Sequence, residues 1–176
     1  GAMRRAVIAT VFTGLLFALS GSASAAEADL LPPPDWADLS PYRMTVPISS
    51  PLKEWCLNAP FGWRDSPLSG TLEFHSGADL SGKEGTPIHA AFSGQVAEAG
   101  FHESYGNYLI LDHANGFTTL YAHCSRLLVR KSDRVKKGQL IGKVGATGAA
   151  TGPHLHFELR LNGVCLDPLP ALEQRP

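Results

Sequence analysis

Two histidines lie one residue apart in the segment TGPHLHFELR, residues 151–160. The segment is typical of a β-strand, in which successive side chains point to opposite faces. One face then carries four side chains that can bind metal, move protons or carry charge: His154, His156, Glu158 and Arg160. The other face is apolar and is predicted to join the core, with Leu155, Phe157, Leu159 and Leu161. Either histidine, or both, could bind one metal ion, so this pattern leaves the ligand open.

A second metal-binding pattern is His75-x-x-x-Asp79. In a straight strand these two residues would stand ~13 Å apart, too far to share one ion. Ser76 and Gly77 lie between them and allow the chain to fold back, so the two side chains can converge. A histidine nitrogen and a carboxylate oxygen together suit zinc. With one histidine of the H-x-H pair, they predict the three protein ligands of an open catalytic zinc site, and one histidine is left over.

The elements that position these residues are predicted to be β-strands. The chain has 18 glycines and 13 prolines, and from about Trp55 onward short apolar runs alternate with turn residues. Asn115-Gly116, between two of these runs, is a strong hairpin signal. No segment keeps a helical period, so we predict an all-β domain, an antiparallel sheet or sandwich with little helix. The predicted strands are TPIHAAF, GQVAEAG, GNYLILDH, FTTLYAHC, QLIGKVG and HLHFELRL.

The run FTTLYAHCS, residues 117–125, carries a further histidine. Strict alternation puts Tyr121 and His123 on one face, where both could line a cleft. It puts Cys124 on the opposite face with Leu120 and Ala122, so we expect Cys124 to be buried and inert.

Three cysteines in an exported protein allow at most one internal disulfide. With Cys124 buried, Cys56 and Cys165 are the pair to expect. Three unpaired thiols are the alternative.

The chain divides into four regions by composition. Residues 1–25 are interpreted as a cloning scar, Gly1-Ala2, followed by a secretory signal peptide that ends in an A-x-A cleavage site. Residues 26–52 are proline-rich and predict an extended linker or prosegment. Residues 53–170 form the predicted β-domain, and 171–176 a tail. A net charge of -1 gives no indication of a nucleic-acid or anionic-membrane partner.

The motifs together resemble the lysostaphin/LytM-type zinc metallopeptidases over residues 61–168. The resemblance lies in FHSGADLSGKEGTPIHAAFSGQV, YGNYLILDHANGFTTLYAHCS, VKKGQLIGKVGATGAATGPHLHFELRLNG and the closing Asp-Pro. It implies an antiparallel β-fold, with Zn²⁺ bound by His75, Asp79 and His156. His123 and His154 take the positions of the family's two catalytic histidines, and Arg64 and Asn107 those of recurrent structural residues. The stretch PLSGTLEF before His75 lacks the cleft tyrosine of some relatives.

The resemblance also implies a function. Members of this family cut peptide bonds of bacterial peptidoglycan. A short signal peptide with no wall-binding module and no sorting signal predicts an enzyme of the periplasm, or alternatively a secreted one, and we expect it to be a monomer. The expected target is the D-alanyl–diaminopimelate cross-link, which would make the protein a DD-endopeptidase. Glu158 is expected to pair with a cation or to support a metal ligand. His89, His102 and His113 match no ligand position.

Three other functions account less well for these residues. A catalytically silent activator of cell-wall amidases would lack zinc ligands, whereas all five site residues are present here. A cysteine peptidase would need His123 and Cys124 to form a dyad, but neighbours on a strand point to opposite faces. A biotinyl-type carrier domain, suggested by VKKGQLIGKVG, would have no use for the histidines.

Overall fold

A computed structural model describes residues 48–173, which fold into antiparallel β-structure with one short helix. The signal peptide, residues 26–47 of the linker and residues 174–176 lie outside the described residues. No helix within 48–173 is both long and apolar enough to span a membrane. The strands are β1 (Leu57–Ala59), β2 (Gly62–Asp65), β3 (Leu72–His75), β4 (Ala78–Ser81), β5 (Pro87–His89), β6 (Gly94–His102), β7 (Gly106–Asp112), β8 (Phe117–Leu127), β9 (Arg134–Val135), β10 (Leu140–Val144), β11 (His154–Leu161) and β12 (Val164–Leu166); the helix α1 is Leu169–Leu172.

The strands form one large sheet and one small one. The large sheet has the order β1-β4-β11-β8-β7-β6-β9; β10 also pairs with β8 and β5, and β12 with β11. The small sheet is the β2–β3 hairpin. Every strand pair is antiparallel. The predicted all-β, antiparallel class with little helix is therefore confirmed.

The hairpin between β7 and β8 turns where the sequence predicted. Asn115 and Gly116 both have positive φ, 55° and 77°. The Phe117 N–H donates to the Ala114 carbonyl across them at 3.1 Å. Ala114 also has positive φ, 69°, so three consecutive left-handed residues close the hairpin.

Strand β11 runs through the middle of the large sheet and has the two faces predicted for it. Leu155, Phe157 and Leu159 are completely buried in the main core. The opposite row carries His156, Glu158 and Arg160, which are also buried but polar. Because β4 and β8 pair with β11 on its two sides, both strands can bring side chains to this polar row.

Strand β8 departs from regular alternation close to His123. Tyr121 lies opposite Leu109 of β7 and Cys124 lies opposite Asn107, so β8 holds one extra residue in this interval. His123 has a left-handed backbone, with φ of 61°. A bulge of this kind reverses the faces of the residues beyond it.

The bulge makes the predicted alternation of β8 wrong. Tyr121 is completely buried in the main core, against Phe157, and does not line the cleft with His123. Cys124 is buried as predicted, but it joins Tyr121 in the main core. Leu120 and Ala122 belong to a second, smaller cluster.

Of the two alternatives for the cysteines, the Cys56–Cys165 disulfide is wrong and three unpaired thiols are confirmed. All three cysteines are free thiols, with Cys56 exposed and Cys124 and Cys165 buried. Both cysteines can be placed along β11. Cys56 directly precedes β1, and Leu57 of β1 aligns through Leu80 of β4 with Leu155 of β11. Cys165 lies opposite Arg160 of β11. Five residues of strand, ~16 Å, separate these positions. A disulfide requires Cα atoms within roughly 7 Å.

The first described residues pack onto the domain. Leu52 is completely buried in the main core, and Ile48 packs against the same cluster. The Ser49 N–H donates to the Ala91 carbonyl at 3.0 Å, and the Pro51 carbonyl accepts from the His89 N–H at 2.8 Å. The residues just before 53 therefore contribute to the core as well as leading into it.

Candidate active site

A tight connection between the two sheets brings His75 to Asp79. His75 ends β3 in the small sheet, and Asp79 lies in β4 of the large sheet. Gly77 makes the connection possible, because a Cβ there would lie 2.4 Å from the Phe157 carbonyl oxygen. The His75 Nε2 atom stands 3.0 Å from Asp79 Oδ1. The H-x-x-x-D pair therefore converges by folding back at Ser76-Gly77.

His156 completes a cluster of three possible metal ligands. It lies directly opposite Asp79 in the β4–β11 pairing, and its Nδ1 is 2.8 Å from Asp79 Oδ1. The distance from His156 Nδ1 to His75 Nε2 is 3.2 Å. In a tetrahedral zinc site with bonds of 2.0–2.1 Å, neighbouring ligand atoms are ~3.3 Å apart. The triangle fits one zinc ion after a slight expansion.

The hydrogen bonds at the far side of each ring explain why this cluster requires a cation. His75 Nδ1 is 2.7 Å from the Pro60 carbonyl oxygen, and His156 Nε2 is 2.9 Å from Glu158 Oε1. Each ring donates its proton outward, which leaves a lone pair on the nitrogen that faces the cluster. Two lone pairs and a carboxylate oxygen then point at one another. A bound cation removes this repulsion, so the residues fit a zinc site.

Without a metal ion, a proton shared with Asp79 takes the place of the cation, and the electrostatics of the cluster then show the same preference for positive charge. Burial would raise the pKa of Asp79, but hydrogen bonds from His156 and His75 outweigh it and hold that pKa well below its usual range. Burial would lower the pKa of His156, yet its hydrogen bonds to Asp79 and Glu158 raise it to about 9. Positive charge is strongly favoured at this position.

Glu158 is the buried anion behind the cluster. Its Oε1 accepts from the Ser76 hydroxyl at 2.6 Å, the Tyr105 hydroxyl at 2.9 Å and the His156 ring. Its Oε2 accepts from Arg160 Nε at 2.7 Å. Burial alone would raise the pKa of Glu158, but these donors lower it to about 2. Both expected roles of Glu158 therefore hold, since it pairs with Arg160 and orients His156.

His123 and His154 lie beside the cluster. Their ring centroids are 4.7 Å apart, and the His123 ring is 6.0 Å from that of His156. His123 Nδ1 is 2.8 Å from the Thr147 carbonyl oxygen, and His154 Nδ1 is 2.9 Å from that of Gly152. Both carbonyls accept the Nδ1 proton, so each neutral ring keeps its lone pair on Nε2.

The environment of His123 disfavours its charged form. Burial lowers the pKa of His123 to about 4, and repulsion from His156 acts in the same direction. The His154 Nε2 atom is 3.6 Å from Asp79 Oδ1, which is beyond hydrogen-bonding distance. Neutral Nε2 atoms beside a metal site can accept protons.

An open cleft of about 360 Å³ exposes this arrangement to substrate. Its floor holds all five predicted site residues: His75, Asp79, His123, His154 and His156. The β2–β3 hairpin and its connection to β4 supply one wall, and two loops supply the other; the lining residues are Arg64, Pro67, Leu68, Glu73, Phe74, Ser76, Ser104, Tyr105, Ala149 and Thr151. The sequence-predicted residues are thus brought together, apart from Tyr121.

Several other predicted residues have structural partners. Arg64 binds Glu73 at 2.9 Å and reaches the second oxygen of Asp79 at 3.5 Å. The Asn107 side chain donates to the Cys124 carbonyl at 3.0 Å. His113 bonds to the Ser93 carbonyl at 2.9 Å.

Tyr105, the tyrosine that does line the cleft, was not predicted from the sequence. Its hydroxyl donates to Glu158 and accepts from Arg160 Nη2 at 3.1 Å, and its carbonyl accepts from the His123 N–H at 2.7 Å. Because the hydroxyl is engaged, Tyr105 supports the metal ligands and is not placed to donate to substrate. The aromatic residue before Gly106 in a predicted turn was its one visible feature.

An antiparallel β-domain with a His/Asp/His cluster in an open cleft defines a zinc metallopeptidase type of site. Residues 73–168 match Peptidase family M23, and the chain belongs to this family.

Similar proteins agree in fold and in sequence. The peptidoglycan DD-endopeptidase ShyC of Vibrio cholerae is 43% identical over 102 residues, which are 58% of this chain and 24% of ShyC. A zinc-containing peptidase from Vibrio cholerae superposes with a TM-score of 0.63 at 34% identity, covering 72% of this chain and 39% of that one. The catalytic domain of lysostaphin from Staphylococcus simulans gives a TM-score of 0.62 at 34% identity, covering 68% and 93%. The chain spans less than a third of the curated relatives' length.

Proposed function

We propose that this protein is a zinc-dependent endopeptidase that hydrolyses the peptide cross-links of bacterial peptidoglycan, specifically D-alanyl–diaminopimelate bonds. One observation carries the proposal: three electron-pair donors converge at the floor of an open cleft, with two further histidines beside them. The similarity to a peptidoglycan DD-endopeptidase supports the choice of substrate.

In this proposal His75, Asp79 and His156 hold the zinc ion through Nε2, Oδ1 and Nδ1. When bound, zinc supplies a Lewis acid that acidifies water and polarises the scissile carbonyl. Arg64, 3.5 Å from the second oxygen of Asp79, helps to keep that carboxylate ionised. Glu158 keeps the His156 lone pair directed at the ion by accepting the proton on the opposite nitrogen.

His123 and His154 carry the proton transfers. With Nδ1–H bound to a backbone carbonyl, each Nε2 can take the proton of the attacking water and return it to the leaving amine. A ring that has taken a proton can also donate a hydrogen bond to the developing oxyanion, which contributes roughly 3–4 kcal/mol in comparable sites. Similar hydrogen bonds at the two rings leave the division of roles open to experiment.

The alternative functions lack comparable support. A silent activator of amidases has no need of the complete ligand cluster or of Glu158 behind it. A cysteine peptidase is disfavoured because Cys124 is buried in the core, where burial raises the pKa of its thiol to about 12.

Paired variants test the assignment of the site. His156→Ala should lose zinc, measured by elemental analysis, together with activity. His154→Ala should keep about one zinc ion per chain and lose hydrolysis, as expected for a group that transfers protons. Digestion of purified sacculi, with the fragments identified by mass spectrometry, identifies the bond cut. Full zinc occupancy in His156→Ala, or loss of zinc in His154→Ala, contradicts the assignment.

We further propose that the protein acts as a monomer in the periplasm after removal of residues 1–25, and that residues 26–52 are either a linker that tethers the domain or a prosegment that inhibits it. Trp36, Tyr42 and Met44 among the prolines are more apolar side chains than a passive spacer needs, which supports the inhibitory alternative. A variant that begins at Ile48 tests this, because it keeps Leu52 in the core. If the removed segment is inhibitory, this variant should hydrolyse soluble cross-linked peptides faster than a chain that begins at Ala26, at equal zinc content. Equal turnover would refute the inhibitory alternative, and a mass in solution above one chain would refute the monomer.

A further inference from the structure

The charge of the chain is unevenly distributed along its sequence. Seven of its 15 Lys and Arg residues lie between 126 and 143, and the same segment holds one acidic residue, Asp133. Outside it, the remaining 8 Lys and Arg residues face 15 Asp and Glu residues. The overall net charge of -1 therefore combines a strongly basic segment with a strongly acidic remainder.

The basic segment, here called the basic loop, is one connected part of the surface. It leaves the end of β8 and returns through β10, and its two arms are paired, with Arg126 opposite Lys143. Midway, Arg134 of β9 pairs with Gln95 at the edge of the large sheet. The side chains of Arg126, Arg130, Lys131, Arg134, Lys136 and Lys137 are exposed, and Lys143 is half-buried. The basic groups therefore follow the surface from the end of β8 to β9, where Arg134 aligns through Gln95 and Asp112 with Thr118 near the start of β8.

The described part of the chain does not neutralise this charge. Asp133 accepts a hydrogen bond from the Arg130 backbone N–H at 2.9 Å, and so closes a turn. Lys137 lies over the Phe92 ring. The other six basic side chains form no ion pair with a carboxylate of residues 48–173. Unpaired exposed charges of one sign attract polymers of the opposite sign.

The composition of the basic loop favours a hydrated polyanion over a lipid bilayer. The loop contains no aromatic residue, whereas surfaces that bind at a membrane interface usually insert Trp, Tyr or Phe. Its exposed leucines, Leu128 and Leu140, are 36% and 42% exposed, so most of each side chain is covered by the protein.

The basic loop begins close to the cleft, at Arg126, without belonging to it. No residue from 126 to 143 lines the cleft. Arg126 nevertheless follows His123 by three residues on β8, about 10 Å along a strand. A polymer bound at the Arg126 end of the loop would therefore lie within reach of the cleft.

We propose that the basic loop is a second binding surface for peptidoglycan, which holds the carboxylate-bearing stem peptides of the polymer beside the cleft. This inference rests on the proposed function for the identity of the polymer. It adds a site that acts on the insoluble wall and is not needed for a short soluble peptide. The charge complementarity is between the Lys and Arg side chains of the loop and the free carboxylates of the stems.

Co-sedimentation with purified sacculi tests the proposal, on ice so that hydrolysis is slow. Lys131→Glu/Lys136→Glu removes exposed charge from the loop, and Lys53→Glu/Lys83→Glu makes the same change at exposed positions elsewhere. We expect the loop variant to bind sacculi about tenfold more weakly than wild type and the control variant to bind normally. Wild-type binding should weaken with salt, and with sacculi whose carboxylates have been amidated.

Three outcomes would overturn the proposal. They are equal loss of binding in both variants, undiminished binding to amidated sacculi, and tighter wild-type binding to phosphatidylglycerol vesicles than to sacculi. Turnover of a soluble cross-linked peptide should be unchanged in both variants, and a loss confined to the loop variant would place the loop in the catalytic machinery instead. Wild-type protein that binds sacculi through the loop but cuts nothing would refute the proposed function and leave this inference standing.

Discussion

Glu158→Gln tests whether a buried carboxylate sets the proton position on a metal ligand. In the structure Oε1 accepts from Ser76, Tyr105 and His156, while Oε2 accepts from Arg160. Glutamine has nearly the same shape but offers one acceptor oxygen and one NH₂ donor. It can therefore satisfy His156 or Arg160, but not both.

Each orientation of the glutamine has a defined cost. If its oxygen faces His156, its NH₂ faces the N–H groups of buried Arg160, so donors oppose donors and Arg160 loses its acceptor. If its NH₂ faces His156, it donates to Nε2 and moves the ring proton to Nδ1, the nitrogen that faces the metal cluster. The second orientation removes the lone pair that a metal needs.

The magnitude follows from the hydrogen bond that is lost. A hydrogen bond to a charged group contributes about 1.5–3 kcal/mol, which corresponds to a loss of roughly 10–150-fold in zinc affinity. Loss of a second-sphere partner of a metal ligand usually lowers affinity by about 10–100-fold. The folded protein should also be less stable, because Arg160 is left without its buried partner.

Zinc competition against a chelating indicator measures the affinity, with circular dichroism confirming that the variant is folded at the same temperature. The double variant Glu158→Gln/Arg160→Gln is the matched control. In it the NH₂ of residue 158 can donate to the new amide oxygen, so the oxygen can again face His156 and part of the affinity should return. Wild-type affinity in folded Glu158→Gln, or no recovery in the double variant, would refute the tautomer argument.

Three further predictions concern positions outside the catalytic pair. Tyr121→Phe should lower the free energy of unfolding by about 1–3 kcal/mol, because the buried Ala91 N–H loses its hydroxyl acceptor. The kcat should not change, and a fall in kcat at unchanged stability would show that Tyr121 acts in the cleft after all. Gly77→Ala should weaken both stability and zinc binding, because its Cβ meets the Phe157 carbonyl oxygen at 2.4 Å; wild-type zinc affinity and thermal stability would show that the connection relaxes freely. Burial lowers the pKa of His113, so the folded state keeps this ring neutral and its contribution to stability is lost as pH falls below ~6.5. Between about pH 7.5 and 5.5 the melting temperature of His113→Asn should therefore fall less than that of wild type, and parallel curves would contradict this.

Local patterns were enough to predict most of the fold and the placement of the site. Alternation in β11 predicted its apolar face, and Ser76-Gly77 predicted the return of His75 to Asp79. These features depend on periodicity and turn chemistry within a few residues. The sequence alone could not choose between the two histidines of the H-x-H pair; that choice came from the resemblance to a family.

The features that were missed depend on pairing between distant segments. The extra residue in β8 appears only when Cys124 is set against Asn107 of β7, and alternation within one strand therefore misplaced Tyr121. Tyr105 reaches Glu158 from a turn 53 residues away in sequence. The Cys56–Cys165 pairing failed for the same reason, since the strand register that separates them is not visible in either segment.

The left-handed residue in β8 limits how this site could be transferred to another protein. A designer who copied the five histidine and aspartate side chains onto regular strands would direct the ring of residue 123 to the wrong side of the sheet. Deletion of a single residue between Tyr121 and Ser125 would have the same effect here, because every later side chain of β8 would exchange faces. The irregularity must therefore be inherited with the side chains, and evolution can vary the length of the surrounding loops far more freely than the length of this one strand.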